Sequence, residues 1–154
     1  MLQSVSRAHI LLVEPGEAAR AILHTAASAF AHVESHGRFE TARTRLHLEF
    51  FDLLVTNVRL GAYNGLHLVY LASRGRRAPR AIVYSDEREP GLAREARRAG
   101  AFYEVGTRLP VTLVTYLTGT LPVRDRRNPA ASDRRSLFRG GRRSWDLHLV
   151  SRPR

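Results

Sequence analysis

The stretch from Phe50 to Tyr70 constrains the fold more than any other part of this chain. Leu53, Leu54 and Val55 form an unbroken apolar run between Asp52 and the pair Thr56–Asn57. A strand without polar alternation must be covered on both faces, which is the habit of parallel sheets. Arg59 to Gly65 then carries Gly61, Asn64 and Gly65, residues that tolerate positive φ and mark a loop. From Leu66 the apolar residues Leu66, Val69 and Tyr70 fall at i, i+3 and i+4, which predicts a helix ending near Ser73. In open parallel sheets, ligands and chemistry gather outside the carboxyl ends of the strands. Asn57 therefore stands where a functional group is expected.

The rest of the chain repeats this alternation. His9–Val13 reads as a strand ending in the turn Glu14-Pro15-Gly16. Glu17–Phe30 reads as an Ala-rich helix with Ala18, Ile22, Ala26 and Ala29 on one side. Ala31–Ser35 is a weaker strand, and Arg38–Phe50 a helix with Ala42, Leu46 and Phe50 on one face. After the polar break Arg74–Pro79 come a strand at Arg80–Tyr84, a loop at Glu87–Gly91 and a basic helix at Leu92–Ala99. Gly100 stops that helix. A strand at Ala101–Val105, a turn at Gly106–Pro110 and a helix at Val111–Thr120 complete the series. Five strands alternating with five helices predict a doubly wound α/β domain: a five-stranded parallel sheet with helices on both faces.

From Leu121 the texture changes. Residues 1–122 hold 15 Arg and 11 acids, whereas residues 123–154 hold 10 Arg and 3 Asp, so the tail carries most of the net charge of +11. All 25 basic residues are Arg. The expected organisation is a domain over 8–121 and an Arg-rich, largely irregular extension over 122–154, too polar to bury a core. Within it, Trp145, Leu147 and Leu149 alternate with polar residues, as in a short strand or docking peptide. Cys is absent, which excludes disulfides and thiolate metal sites. The apolar run at Ile10–Val13 is too short for a signal-peptide core, and nothing approaches the roughly 20 apolar residues of a membrane span. A cytoplasmic location is the expectation.

The central stretch resembles the response-regulator receiver family, over about residues 8–120. In that family the third strand ends in the aspartate that accepts a phosphoryl group, and a loop and a helix opening with Gly-Leu follow, as Gly65-Leu66 do here. The resemblance implies a flavodoxin-like receiver fold and puts Asn57 at the phosphoacceptor position. It puts the family's acidic pair at Glu14 and Pro15, the switch hydroxyl at Ser85, and the lysine position at Thr107, with Arg108 beside it. The family's moving aromatic ring on the last strand aligns with Glu104, and a slip of one residue brings in Tyr103 instead.

These departures act together. A carboxylate attacks phosphorus to form an acyl phosphate, and a neutral amide has no such oxygen. Mg²⁺ requires hard carboxylate ligands, and only Glu14 of three remains, so Mg²⁺ binding is expected to be weak or absent and no cofactor is expected. The implied function is a phosphorylation-independent pseudo-receiver, a protein-interaction module of two-component (phosphorelay) signalling whose partners are a histidine kinase, an effector or a second copy of itself. The implied contact surface is the last two helices and the last strand. The alternative is a nucleic-acid-associated regulator. Its tail residues Arg126, Arg127, Arg134, Arg135, Arg139, Arg142 and Arg143 would bind phosphates or another anionic surface in a salt-dependent way.

Plainer roles fit the same residues. Asn57 serves equally as a strand-end group satisfying nearby backbone, Glu14 as an acid favoured by a helix dipole, and Ser85 as a cap. His32 and His36 have helical metal-pair spacing but bracket a strand, so they read as ordinary core or surface histidines. Residues 61–65 lack the Lys of a phosphate-binding loop. No nucleophile pairs with a base at a strand end, so no enzyme activity and no catalytic residue is assigned.

Overall fold

The computed structural model describes residues 7–119. The elements are β1 (Ala8–Val13), α1 (Glu17–Ser28), β2 (Ala31–His36), α2 (Phe39–Leu48), β3 (Leu53–Asn57), β4 (Arg59–Leu60), β5 (Tyr63–Asn64), α3 (Leu66–Ser73), β6 (Arg80–Ser85), α4 (Pro90–Arg98), β7 (Phe102–Val105) and α5 (Leu109–Thr118). Five strands form one parallel sheet in the order β2-β1-β3-β6-β7, as the alternation predicts. β4 and β5 make a two-residue antiparallel hairpin inside the loop before α3, closed by Gly61 at φ +67°. The expected tail over 122–154, with its seven candidate arginines and Trp145, lies outside the described residues. Among the described residues no helix is long and apolar enough to cross a membrane.

Side chains alternate across each strand, and the sheet is buried on both sides. Leu11, Val13, Leu54 and Val83 face one core with Phe39 and Ala42 of α2, Leu68 and Val69 of α3, and Ala96 of α4. Ile10, Leu12, Leu53, Val55 and Ile82 face the other with Leu23 and Ala27 of α1 and Leu109 and Leu113 of α5. The unbroken run Leu53–Val55 is thus the only pattern that can fill both cores from one strand.

The structure corrects three helix faces; in α3 Tyr70 is exposed, and Leu68 and Ala72 join Leu66 and Val69 in the core. In α1 the buried residues are Leu23 and Ala27, while Ile22 is 58% exposed. The apolar stripe is rotated by one residue, because Leu23 rather than Ile22 reaches the core shared with α5. In α2 the chain turns extended at Glu49 (φ −135°, ψ 159°), so Phe50 leaves the helix and is 67% exposed; Phe51 fills the core instead. Two helices also begin earlier than expected, at Pro90 rather than Leu92 and at Leu109 rather than Val111. Proline breaks a helix interior, but in the first turn its missing N–H has no partner to lose, so both prolines lie inside.

At the sheet edge, Arg45 of α2 holds two carboxylates. Its Nε donates to Glu34 Oε1 (2.5 Å), and its Nη2 donates to Glu34 Oε2 (3.0 Å) and pairs with Glu49 Oε1 (2.5 Å). The bond from Arg45, with help from His36, draws the Glu34 carboxyl from near 4.5 down to about 2. A carboxylate depressed in the folded state adds stability above its unfolded value and loses it as pH falls through the folded one. Denaturant midpoints measured between pH 4.5 and 2 are therefore expected to fall less steeply in Glu34→Gln than in the wild type.

Gly65 explains the tight entry to α3. A Cβ there would lie 2.2 Å from the Asn57 carbonyl oxygen and 2.7 Å from Thr56 Oγ1. Gly65→Ala is expected to lower stability by roughly 2–4 kcal/mol. Gly91→Ala, where a Cβ meets nothing within 4 Å, is expected to be neutral or stabilising by up to about 1 kcal/mol. Thermal melts of the two variants check the contrast.

Candidate functional site

The carboxyl ends of β1, β3 and β6 meet where the strand order reverses, the place where open α/β sheets form their crevice. The register decides what stands there. Val13 pairs with Thr56, which brings Glu14 level with Asn57, and Asn57 pairs with Tyr84. Glu14, Asn57 and Tyr84 continue the rows Leu12, Val55 and Ile82, so all three side chains belong to the same side of the sheet.

They form one hydrogen-bonded group. Asn57 Nδ2 donates to Glu14 Oε2 (2.9 Å), and the Tyr84 hydroxyl donates to the same oxygen. Glu14 Oε1 accepts the Gly16 amide (2.7 Å), and Asn57 Oδ1 accepts the Arg59 amide (2.9 Å). All three residues are buried, Glu14 to 5%, Asn57 to 6% and Tyr84 to 2% exposure. Burial, then the bond donated to Glu14, pushes the Tyr84 phenol well above its ordinary range, so it remains a donor.

Each Glu14 oxygen is thus already met by protein N–H or O–H groups. A Mg²⁺ ion, which the receiver resemblance implies, needs carboxylate lone pairs turned toward it in near-octahedral order. Here the neighbours of Glu14 are donors, and the position beside it holds an amide rather than a second carboxylate. The residues present do not fit Mg²⁺.

The other expected site residues lie apart from this group. Ser85 is buried, but its Oγ donates to the Glu87 carbonyl (2.6 Å) and lies 2.5 Å from the Tyr103 hydroxyl. Tyr103 Oη also accepts the Glu89 amide (2.9 Å). On β7, Tyr103 is the ring beside Ser85, and Glu104 accepts instead from Tyr116 (3.0 Å). Thr107 and Arg108 are exposed at the start of α5. Arg88, Arg94 and Arg108 help to line a hollow of about 400 Å³ between α4 and β7, together with Tyr103 and Glu104.

Tyr84 is the member that sequence reasoning did not single out. It reads there as the last residue of a strand, and an aromatic residue in a strand is unremarkable. Its signal is positional: it is one strand over from Asn57 and of the same parity.

With this geometry in view, solved structures bear on the fold. The chain is similar to the chemotaxis response regulator CheY4 of Vibrio cholerae (20% identity, 71% of this chain and 95% of that one, TM-score 0.64). It is similar to a CheY-like receiver domain protein from Methanospirillum hungatei (20% identity, 72% and 90%, TM-score 0.66). A third neighbour is a LuxR-family two-component response regulator from Aurantimonas (21% identity, 71% and 81%, TM-score 0.64). No protein-family model and no curated protein sequence matches the chain. The protein has the receiver fold; at this identity the likeness speaks to fold alone.

Two substitutions test the buried group. Asn57→Asp removes the donor to Glu14 and sets two carboxylates side by side, and it is expected to cost about 2–4 kcal/mol near neutral pH. Because such a pair takes up a proton as pH falls, the loss shrinks on mild acidification. Tyr84→Phe leaves Glu14 Oε2 with one donor fewer and is expected to cost about 1.5–3 kcal/mol. Urea unfolding of both variants at two pH values reads each effect.

Proposed function

We propose that this protein is a pseudo-receiver: a module of two-component (phosphorelay) signalling that engages protein partners without being phosphorylated. The observation that carries the reading is the amide of Asn57 spent on a buried carboxylate. Aspartyl phosphorylation needs an unprotonated oxygen at the strand end, with a cation to neutralise the incoming phosphoryl group. Here the strand end offers an amide, both oxygens of the remaining acid accept from protein donors, and the position that would supply a lysine holds exposed Thr107 and Arg108. In this reading Asn57 is the non-phosphorylatable equivalent of the acceptor and Glu14 a residual pocket acid. Ser85 with Tyr103 is a hydroxyl–ring pair held in one arrangement by the β6–α4 loop.

Under the same reading the partner face is α4, β7 and α5. Arg88, Arg94 and Arg108 give it a basic hollow, which fits an acidic protein surface and steers its approach electrostatically. Association through this face is expected to weaken with salt and with charge reversal at Arg94. The nucleic-acid alternative rests on residues 122–154, and removing them separates the two readings: affinity for nucleic acid then falls, while affinity for a protein partner through α4 and β7 persists.

Exposure to acetyl phosphate or beryllofluoride with Mg²⁺ is expected to leave the intact mass and the amide spectrum of the protein unchanged. A stoichiometric adduct at the β3 end would overturn the proposal.

A further inference from the structure

At the other end of the sheet, the amino-terminal side of the strands, a second polar group stands among residues the receiver reading does not use. His9 is the second residue of β1, Glu34 lies on β2, and Glu49 follows α2. One ring nitrogen of His9 and one carboxylate oxygen from each glutamate all lie within 4.8 Å of one another. We propose that His9, Glu34 and Glu49 form a binding site for a divalent first-row transition cation, of which Zn²⁺ is the representative.

One atom of this group is unmet. His9 Nε2 is the one fully buried side-chain nitrogen or oxygen without a hydrogen-bond partner among the described residues. The opposite nitrogen, Nδ1, lies 3.2 Å from the Phe50 carbonyl, which can only accept. That contact places the proton on Nδ1 and leaves Nε2 with a bare lone pair. A histidine that gives Nδ1–H to a backbone carbonyl and keeps a bare lone pair on Nε2 is in the tautomer of a metal ligand. The ring is also fixed from the sides. Its backbone amide donates to Asp52 Oδ2 (2.8 Å), and the ring centroid is 4.4 Å from that of Phe51 and 5.0 Å from that of His32.

One imidazole nitrogen with two carboxylate oxygens is a donor set for a borderline cation, not for Mg²⁺. Such ions sit about 2.0–2.2 Å from their ligands, so the three donors must close by on the order of 1 Å. The two glutamates presently share Arg45, which satisfies the carboxylates but leaves the imidazole nitrogen unmet. A divalent ion would answer all three donors at once, and the partly exposed Arg45 side chain can turn to solvent. Arg45 and the ion are therefore competitors for Glu34 and Glu49. His36, bonded to Glu34 Oε1 (2.7 Å), shares that glutamate's strand face with His32.

The competition gives a test with opposite signs. The full chain, stripped of metal by a chelator, is titrated with Zn²⁺ by calorimetry and with Co²⁺ by visible absorption. One saturable ion per chain is expected. His9→Ala and Glu49→Gln are each expected to weaken it about tenfold or more, whereas Arg45→Gln is expected to tighten it about tenfold. Glu49 and Arg45 lie at the accessible end of α2, so those two variants keep the test decisive if His9→Ala folds poorly. Absence of saturable binding in the wild type would overturn the site. So would affinities unchanged in His9→Ala and Glu49→Gln, which would put the ion on other histidines, or weaker binding in Arg45→Gln, which would make the arginine a support rather than a rival.

Discussion

The buried carboxylate of Glu14 governs the sheet-end crevice. An ionised carboxylate out of water must be met by donors or by a cation, because the cost of leaving it bare exceeds the gain from a typical hydrogen bond several times over. This chain meets it with donors: the Gly16 amide on one oxygen, the Asn57 amide and the Tyr84 hydroxyl on the other. That choice fixes the rest of the crevice. Asn57 is held at both ends, Nδ2 on Glu14 and Oδ1 on the Arg59 amide, so the backbone leaving β3 is fastened to the same group. A crevice wired this way has turned both carboxylate oxygens to protein donors rather than to a metal ion.

The same logic separates the two polar clusters. At the carboxyl ends of the strands every polar atom of Glu14, Asn57 and Tyr84 has a partner within the protein. At the amino ends, two glutamates and an arginine satisfy one another, and a histidine nitrogen beside them remains unmet. A saturated group stabilises one arrangement. An unsaturated one retains capacity for a ligand, and this contrast ties the proposed cation site to the amino-terminal end rather than to the crevice of the receiver fold.

Much of the fold was legible in the residues. The unbroken run Leu53–Val55 demanded a strand covered on both faces, and strict strand–helix alternation demanded a parallel sheet. Gly100 ended α4 where a left-handed residue was needed, at φ +82°. The failures share a cause. Ile22 and Leu23 are equally apolar, and only the position of α5 decides which of them is buried. Phe50 and Phe51 are identical side chains, and only the point where α2 unwinds decides which enters the core. Tyr84 and the choice between Tyr103 and Glu104 were of the same kind: parity and register, not residue type, assign the neighbour.

The sequence alone determined the architecture, the location of the crevice and the fact that an amide stands at the end of β3, because periodicity and residue chemistry are local properties. It did not determine who partners whom. That Asn57 is bound to Glu14 with Tyr84 beside it, that Ser85 turns to Tyr103, and that His9 stands among Glu34 and Glu49 all depend on strand register. Register brings together residues 43 and 70 positions apart in the chain, and only the packed sheet specifies it.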